Sequence, residues 1–133
     1  MINFKNQQTH FIAMGVVILI GIAVIYFSAV DPSFRSKPFD SGAWKAGDAR
    51  TRGEMIDDLT RGSYLQDKSK EEVAALLGKG EERGNAFIYT IDMGVRMAYK
   101  PQPFDFALYF DRRDRWTGYE VLEPGKGPSE KEK

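Results

Sequence analysis

The side chains able to do chemistry are few in this chain and stand apart from one another. His10 is the single histidine, and cysteine is absent from all 133 positions. A thiol nucleophile, a disulfide, a Cys-ligated zinc or iron–sulfur centre and a lipid-bearing cysteine are thereby excluded. A lone histidine at the edge of an apolar block supplies neither a catalytic triad nor a His-rich metal site within one chain, and reads as an interfacial side chain. Carboxylates are what remains for general acid–base work. Asp57 and Asp58 are adjacent, but neighbours on a helix point about 100° apart, so the two read as solvated surface and not as an acid/base pair. Gly78-Lys79-Gly80 is too short for a phosphate loop and follows a helical stretch instead of opening one. Arg112, Arg113 and Arg115 make a basic turn that could touch anionic lipid, yet Asp111 and Asp114 nearly neutralise it, which favours a solvated turn. No catalytic residue, cofactor or metal site is expected.

Charge narrows the class of partner. Lys plus Arg and Asp plus Glu both number 19, so no long-range field steers the chain onto nucleic acid, and nucleic-acid binding is not expected.

The elements that must position these residues divide the chain into five parts. After a flank at 1–10, residues 11–30 hold no charge, and 17 of the 20 are apolar. As a helix they would rise about 30 Å, the thickness of a bilayer core, so a transmembrane signal-anchor contacting membrane lipid is expected. The run exceeds a cleavable signal's apolar core of about 7 to 15 residues and lacks a small-x-small site at its end. Lys5 precedes it and Arg35, Lys37 and Lys45 follow, so the positive-inside count does not settle orientation. Residues 31–47, with Pro32, Pro38, Gly42 and Gly47, read as a tether interrupted by Phe34, Phe39 and Trp44. Aromatic residues there suit packing onto a domain, a lipid interface or a recognition role.

A small α+β domain is expected over 48–123. Asp48 is a candidate N-cap, followed by Ala49, Arg52, Met55, Ile56 and Leu59 at helical spacing, with Gly62 as the stop. Arg50 with Glu54 and Asp57 with Arg61 are set four apart as ion pairs. Ser69 with Glu72 forms a capping box, Val73, Leu76 and Leu77 give the buried stripe, and Gly78 ends the helix. Thereafter the period becomes two. Phe87, Tyr89, Ile91 and Met93 alternate on one strand, and Phe104, Phe106, Leu108 and Phe110 on a second, joined by a loop holding Pro101 and Pro103. Tyr119 and Val121 mark a short third strand after the Asp111–Arg115 turn. The expectation is an ααβββ unit in which two helices cover one face of a three-stranded antiparallel sheet, followed by a disordered tail at 124–133.

Arg52-Gly53-Glu54-Met55-Ile56-Asp57-Asp58-Leu59, then Leu65-Gln66-Asp67-Lys68-Ser69-Lys70-Glu71-Glu72-Val73-Ala74-Ala75-Leu76-Leu77-Gly78, with Phe87 to Tyr89 and Leu108 to Asp111 at the strand positions, resembles the SmpA/OmlA (BamE-like) domains of small bacterial envelope proteins. The likeness spans about residues 50 to 122 and rests on helix caps, helix stops and strand ends. The family's lipid-carrying cysteine is absent, its place taken by the apolar segment, and Gly80 stands where the family has Pro. The resemblance implies a scaffold or interaction domain without catalytic residues, and a placement in the bacterial inner membrane with the domain on the extracytoplasmic side.

Together these readings point to a membrane-anchored envelope interaction module with a protein partner. The alternatives are an accessory subunit held in a membrane complex through its apolar helix and, further off, a membrane-anchored hydrolase. Trp44, Tyr109 and Trp116 are the candidate partner-binding residues, the last two as an aromatic surface on the sheet face that the helices leave uncovered.

Overall fold

The computed structural model of the protein describes residues 12–22, 29–97, 100–124 and 126–127. In chain order the elements are helices α1 (Ser41–Ala46), α2 (Ala49–Arg61) and α3 (Lys70–Leu77), then strands β1 (Glu81–Arg83), β2 (Ala86–Met97), β3 (Lys100–Phe110) and β4 (Trp116–Leu122). The strands form one antiparallel sheet in the order β1-β2-β3-β4, each beside its sequence neighbour.

Local chemistry sets the helix starts. Asp40 accepts the Ala43 N–H at 2.7 Å and Asp48 the Thr51 N–H at 2.9 Å, each taking up a donor that the first helical turn leaves unpaired. Ser69 and Glu72 bond reciprocally as a capping box. The ion pairs expected along α2 are present, Arg61 to Asp57 at 3.0 Å and Arg50 to Glu54 at 3.9 Å.

One face of the sheet carries the main core. Phe87, Tyr89, Ile91, Phe106, Leu108 and Phe110 pack against Met55, Ile56, Leu59, Val73 and Leu77, with Phe104 and Leu76 partly buried beside them. This is the inward face that the two-residue alternation predicts. Trp44 joins the same cluster from α1, its ring 5.8 Å from Tyr89 and 6.2 Å from Phe106. A Cβ at Gly53 would fall 1.7 Å from the Asp92 carbonyl oxygen, so α2 lies directly on the β2 backbone and only glycine fits there.

The opposite face holds a second buried cluster of Ala86, Ile88, Ala107, Tyr109 and Leu122. The Arg83 guanidinium crosses that face to Asp105 at 3.4 Å.

Several expectations are corrected. The sheet has four strands, not three, because Glu81–Arg83 adds a short strand through backbone pairing to residues 86–88, which needs no apolar side chains. A third helix, α1, lies within the stretch read as a tether. The transmembrane signal-anchor at 11–30 is not supported: no helix among the described residues is long and apolar enough to cross a membrane. Residues 12–22 are helical, and residues 11 and 23–28 of the expected span lie outside the described residues, as do the flank at 1–10 and most of the expected tail. The single-pass inner-membrane placement and the extracytoplasmic assignment built on it fall with that span.

Candidate partner interface

The three aromatic residues singled out in the sequence are placed differently from one another. Trp44 has no exposed surface and Tyr109 is 4% exposed. Tyr109 lies in the second cluster, where its hydroxyl donates to Glu120 at 2.6 Å. Trp116 is half-buried and packs against the main core, on the face opposite to Tyr109. The open aromatic surface expected from Tyr109 and Trp116 is therefore not formed: the sheet twists their side chains to different faces across a register shift at Tyr109/Phe110. Trp44 Nε1 and Trp116 Nε1 are buried without a hydrogen-bond partner among the described residues.

Outside residues 12–22, the exposed large apolar side chains among the described residues are Val30, Tyr64 and, on β4, Tyr119 and Val121. Tyr119 is 44% and Val121 38% exposed. Both face the helix-bearing side, where Tyr119 opposes Leu108 and Val121 opposes Phe106, and the Tyr119 ring sits 5.8 Å from that of Phe106. α2 packs on β2, and the start of α3 reaches β4 at Trp116, while Tyr119 and Val121 farther along the strand stay exposed.

Among the described residues, backbone geometry makes this strand an open edge. The Phe110 N–H donates to the Asn85 carbonyl at 3.0 Å and the Phe110 carbonyl accepts from Asn85 Nδ2 at 3.1 Å, so Phe110 faces β2. Alternation turns Tyr109 and Ala107 toward β4, and their partners Gly118 and Glu120 back toward β3. The main-chain groups of Tyr119 and Val121 consequently point away from the sheet. At the start of β4 the edge is sealed, because the Trp116 N–H donates to Lys68 C=O at 2.9 Å and Ser69 bridges Arg115. Edge strands are commonly protected by charge, proline or a bulge. Here the bulge lies at the strand's beginning, and Glu120 is the single charged residue within Trp116–Leu122.

A second feature escaped the sequence reading. The bulge between Asp92 and Arg96 frees the Gly94 carbonyl, which accepts the Asp31 N–H at 2.8 Å, while Val30 bridges Val95. The Asp31 carboxylate, 4% exposed, accepts from Ser33 N at 2.9 Å, Ser33 Oγ at 2.7 Å, Arg50 at 2.6 Å and Arg96. The Ser33 hydroxyl, then the Arg50 guanidinium, hold its carboxyl well below the usual carboxylate range. Phe34 stacks beneath Arg50 at 5.5 Å and occupies the space that a Cβ at Gly94 would need. Further along, Phe39 N–H donates to the Asp58 carboxylate at 2.7 Å. Residues 30–39 thus lie bonded along α2 and β2.

The remaining chemical candidates have structural tasks. Asp57 pairs with Arg61, whereas Asp58 accepts from Phe39 N–H and the Tyr64 hydroxyl, so the adjacent carboxylates diverge. That hydrogen bond raises the Tyr64 pKa. The Gly78 carbonyl accepts the Tyr89 hydroxyl at 2.7 Å, and burial pushes the pKa of that phenol up. Asp111 accepts from Arg113 N and Arg115 N, closing the basic turn. A cavity of about 470 Å³ at the start of α3 is lined by Lys70, Lys79 and Arg113 but equally by Glu71, Glu82 and Asp114. Lys70 there is engaged by Glu82 at 3.6 Å and by the Phe87 ring at 5.2 Å. Among the described residues no group of His, Asp or Glu side chains could hold a metal ion. No protein-family model, curated protein or solved structure matches the chain.

Proposed function

We propose that the domain is a binding module that takes an extended protein segment onto the outer edge of β4. The observation that carries this reading is the coincidence, at Tyr119 and Val121, of main-chain groups directed away from the sheet with two exposed apolar side chains. Strand addition draws affinity from the main-chain hydrogen bonds and specificity from alternate side chains, and β4 offers both over the same residues. The resemblance of residues 50 to 122 to the SmpA/OmlA (BamE-like) domains supports a scaffold role of the same kind.

A photo-crosslinking residue at position 119 in the full chain, expressed in its own cell, tests the reading. Adducts should form at 119 and disappear when Val121→Pro removes an outward N–H. Proline is tolerated on an edge strand, so that change leaves the fold in place. Adducts equally frequent from a control position at Lys79, or undiminished by Val121→Pro, would overturn it.

A second reading, an accessory subunit held through its N-terminal helix, is favoured by one observation. The apolar side chains of residues 12–22 are exposed throughout, Ile12 at 70% and Leu19 at 68%. Surfaces of that kind mark association sites.

A further inference from the structure

We infer that residues 12–22 insert into the acyl layer of an anionic lipid surface, with the end of the domain that the chain enters at Val30 resting on the headgroups. The inference is independent of the edge-binding reading, and it puts lipid where an accessory subunit would need a protein. Eight large aliphatic side chains, at 12, 14, 16–20 and 22, are exposed, from Val16 at 49% to Ile12 at 70%. Successive helical residues point about 100° apart, so the eight leave no direction without an apolar group. A protein groove, or a second copy, covers one face of a helix and leaves the other in water. That arrangement calls for a polar face, and residues 12–22 contain no polar side chain. Nor do they hold the stripe of small residues through which apolar helices pack on one another, since no two of Ala13, Gly15 and Gly21 stand four apart. A helix without a preferred side fits a medium that is apolar on every side, and a hydrocarbon layer is such a medium. Insertion is sufficient for this contact, and no crossing is involved.

Charge where the chain enters the domain selects an anionic surface. Val30 bridges Val95 and the Asp31 N–H bonds the Gly94 carbonyl, close to the end of the β2–β3 hairpin, where Met97 pairs with Lys100. Three acids lie there, and each is taken up within the domain. Asp31 is held by Arg50 and Arg96, Glu54 by Lys37 at 3.6 Å, and Asp92 accepts the Gly94 N–H at 2.8 Å. Arg35 and Lys100 are both exposed and have no acidic partner among the described residues. Arg35 donates to the carbonyls of Pro32 and Phe34, and the Phe34 ring against Gly94 keeps it at this end of the domain. Two uncancelled cations thus flank the point at which the apolar helix is joined to the domain. Each basic residue near an anionic leaflet strengthens attachment about fivefold.

The absence of cysteine lets a single label report its surroundings in the full chain. A polarity-sensitive fluorophore is placed at Ile18→Cys, and the protein is mixed with vesicles of phosphatidylcholine alone or of equal parts phosphatidylcholine and phosphatidylglycerol, with brominated acyl chains as the quencher. The label at 18 should shift to the blue and be quenched by the brominated chains, whereas the same label at Lys79→Cys should do neither. Affinity should be higher for the mixed vesicles. The exposed pair Arg35→Glu/Lys100→Glu should lower that affinity by about twentyfold or more and leave binding to phosphatidylcholine alone unchanged. Added salt should reproduce the loss in the parent. A label at 18 that stays in water, or that is shielded without being quenched because protein covers the helix, overturns the inference. So does equal affinity for the two vesicle types, or an affinity for the mixed vesicles that the double variant does not change. None of these results alters the photo-crosslinking expected at position 119, so the edge-binding reading stands or falls separately.

Discussion

The Asp31 carboxylate and the Arg50 guanidinium meet at 2.6 Å across 19 positions of chain, and Arg96 reaches the same carboxylate across 65. Three segments that share no local sequence are tied at one buried oxygen pair. Removing the charge by Asp31→Asn leaves two guanidinium groups facing an amide, and the thermal midpoint should fall by several degrees. The sign of the pH dependence follows from the lowered pKa. A carboxylate depressed in the folded state stabilises above its unfolded value of about 3.9, and that stabilisation is lost as pH falls through the folded value. The parent should lose stability steeply below about pH 5, and Asp31→Asn should flatten that loss. Asp48, Glu72, Glu81 and Glu123 are also lowered but are common to both proteins. The difference between the two melting-temperature profiles therefore isolates Asp31, and parallel profiles would contradict the clamp.

Gly53 sits inside α2, where alanine is ordinarily favoured by about 1 kcal/mol. Contact reverses the preference. The added methyl would meet the Asp92 carbonyl oxygen at 1.7 Å, and backbone cannot swing aside as a side-chain tip can. Gly53→Ala should destabilise by about 1 to 3 kcal/mol or more, the cost of overpacking. Denaturant melts that show a gain in stability would mean that α2 does not rest on β2 as described.

Trp44 separates packing from hydrogen bonding. Its ring is buried with no exposed surface, yet its Nε1 has no partner among the described residues. Trp44→Ala should cost about 3 to 5 kcal/mol. Trp44→Phe loses ring area but also removes a buried, unsatisfied donor worth about 1 to 3 kcal/mol, so its cost should be well under half of that. Equal losses in chemical denaturation would show that the indole N–H is satisfied.

How much of this was legible in the sequence depends on how far apart the cooperating residues lie. The Asp48 cap, the Ser69 and Glu72 box and the Phe87 to Ile91 alternation are local, and each was readable from a window of a few residues. The inward face followed, since alternation on two strands fixes which side chains share a side. Asp31 was read only as the first residue of a tether, because its donors Arg50 and Arg96 come from elsewhere in the chain. β1 gave no signal, as Glu81, Glu82 and Arg83 pair through backbone alone. α1 was hidden by the surrounding Pro and Gly, although Asp40 ahead of Ser41 is a capping residue. For the interface, Tyr119 and Val121 were read only as marking a short strand, and nothing local in the sequence says that they face the helix-bearing side yet stay exposed. Tyr109 was mistaken for surface for the complementary reason: the outer face has a buried cluster of its own. The apolar block at 11–30 fitted a span by length and hydropathy, but no helix among the described residues is long and apolar enough to cross a membrane.

Phe106 and Tyr119 touch at a ring separation of 5.8 Å and should nonetheless respond to mutation in opposite ways. Phe106 has no exposed surface, lies on the central strand β3 and contacts Trp44 as well. Truncation to Ala opens a cavity between α1 and the sheet, and a loss of about 3 to 5 kcal/mol is expected, a large part of what a domain of this size holds. Tyr119 is 44% exposed on the terminal strand. Tyr119→Ser removes one cross-strand contact worth about 0.2 to 1 kcal/mol, so the melting temperature should move little. Its effect should fall on association, because the ring supplies contact area that only a bound segment buries. Measuring thermal stability and crosslinking yield on the same two variants places the core and the interface on separate axes. A Tyr119→Ser protein that unfolds as readily as Phe106→Ala while keeping its crosslinked product would make β4 part of the core and end the edge-binding proposal.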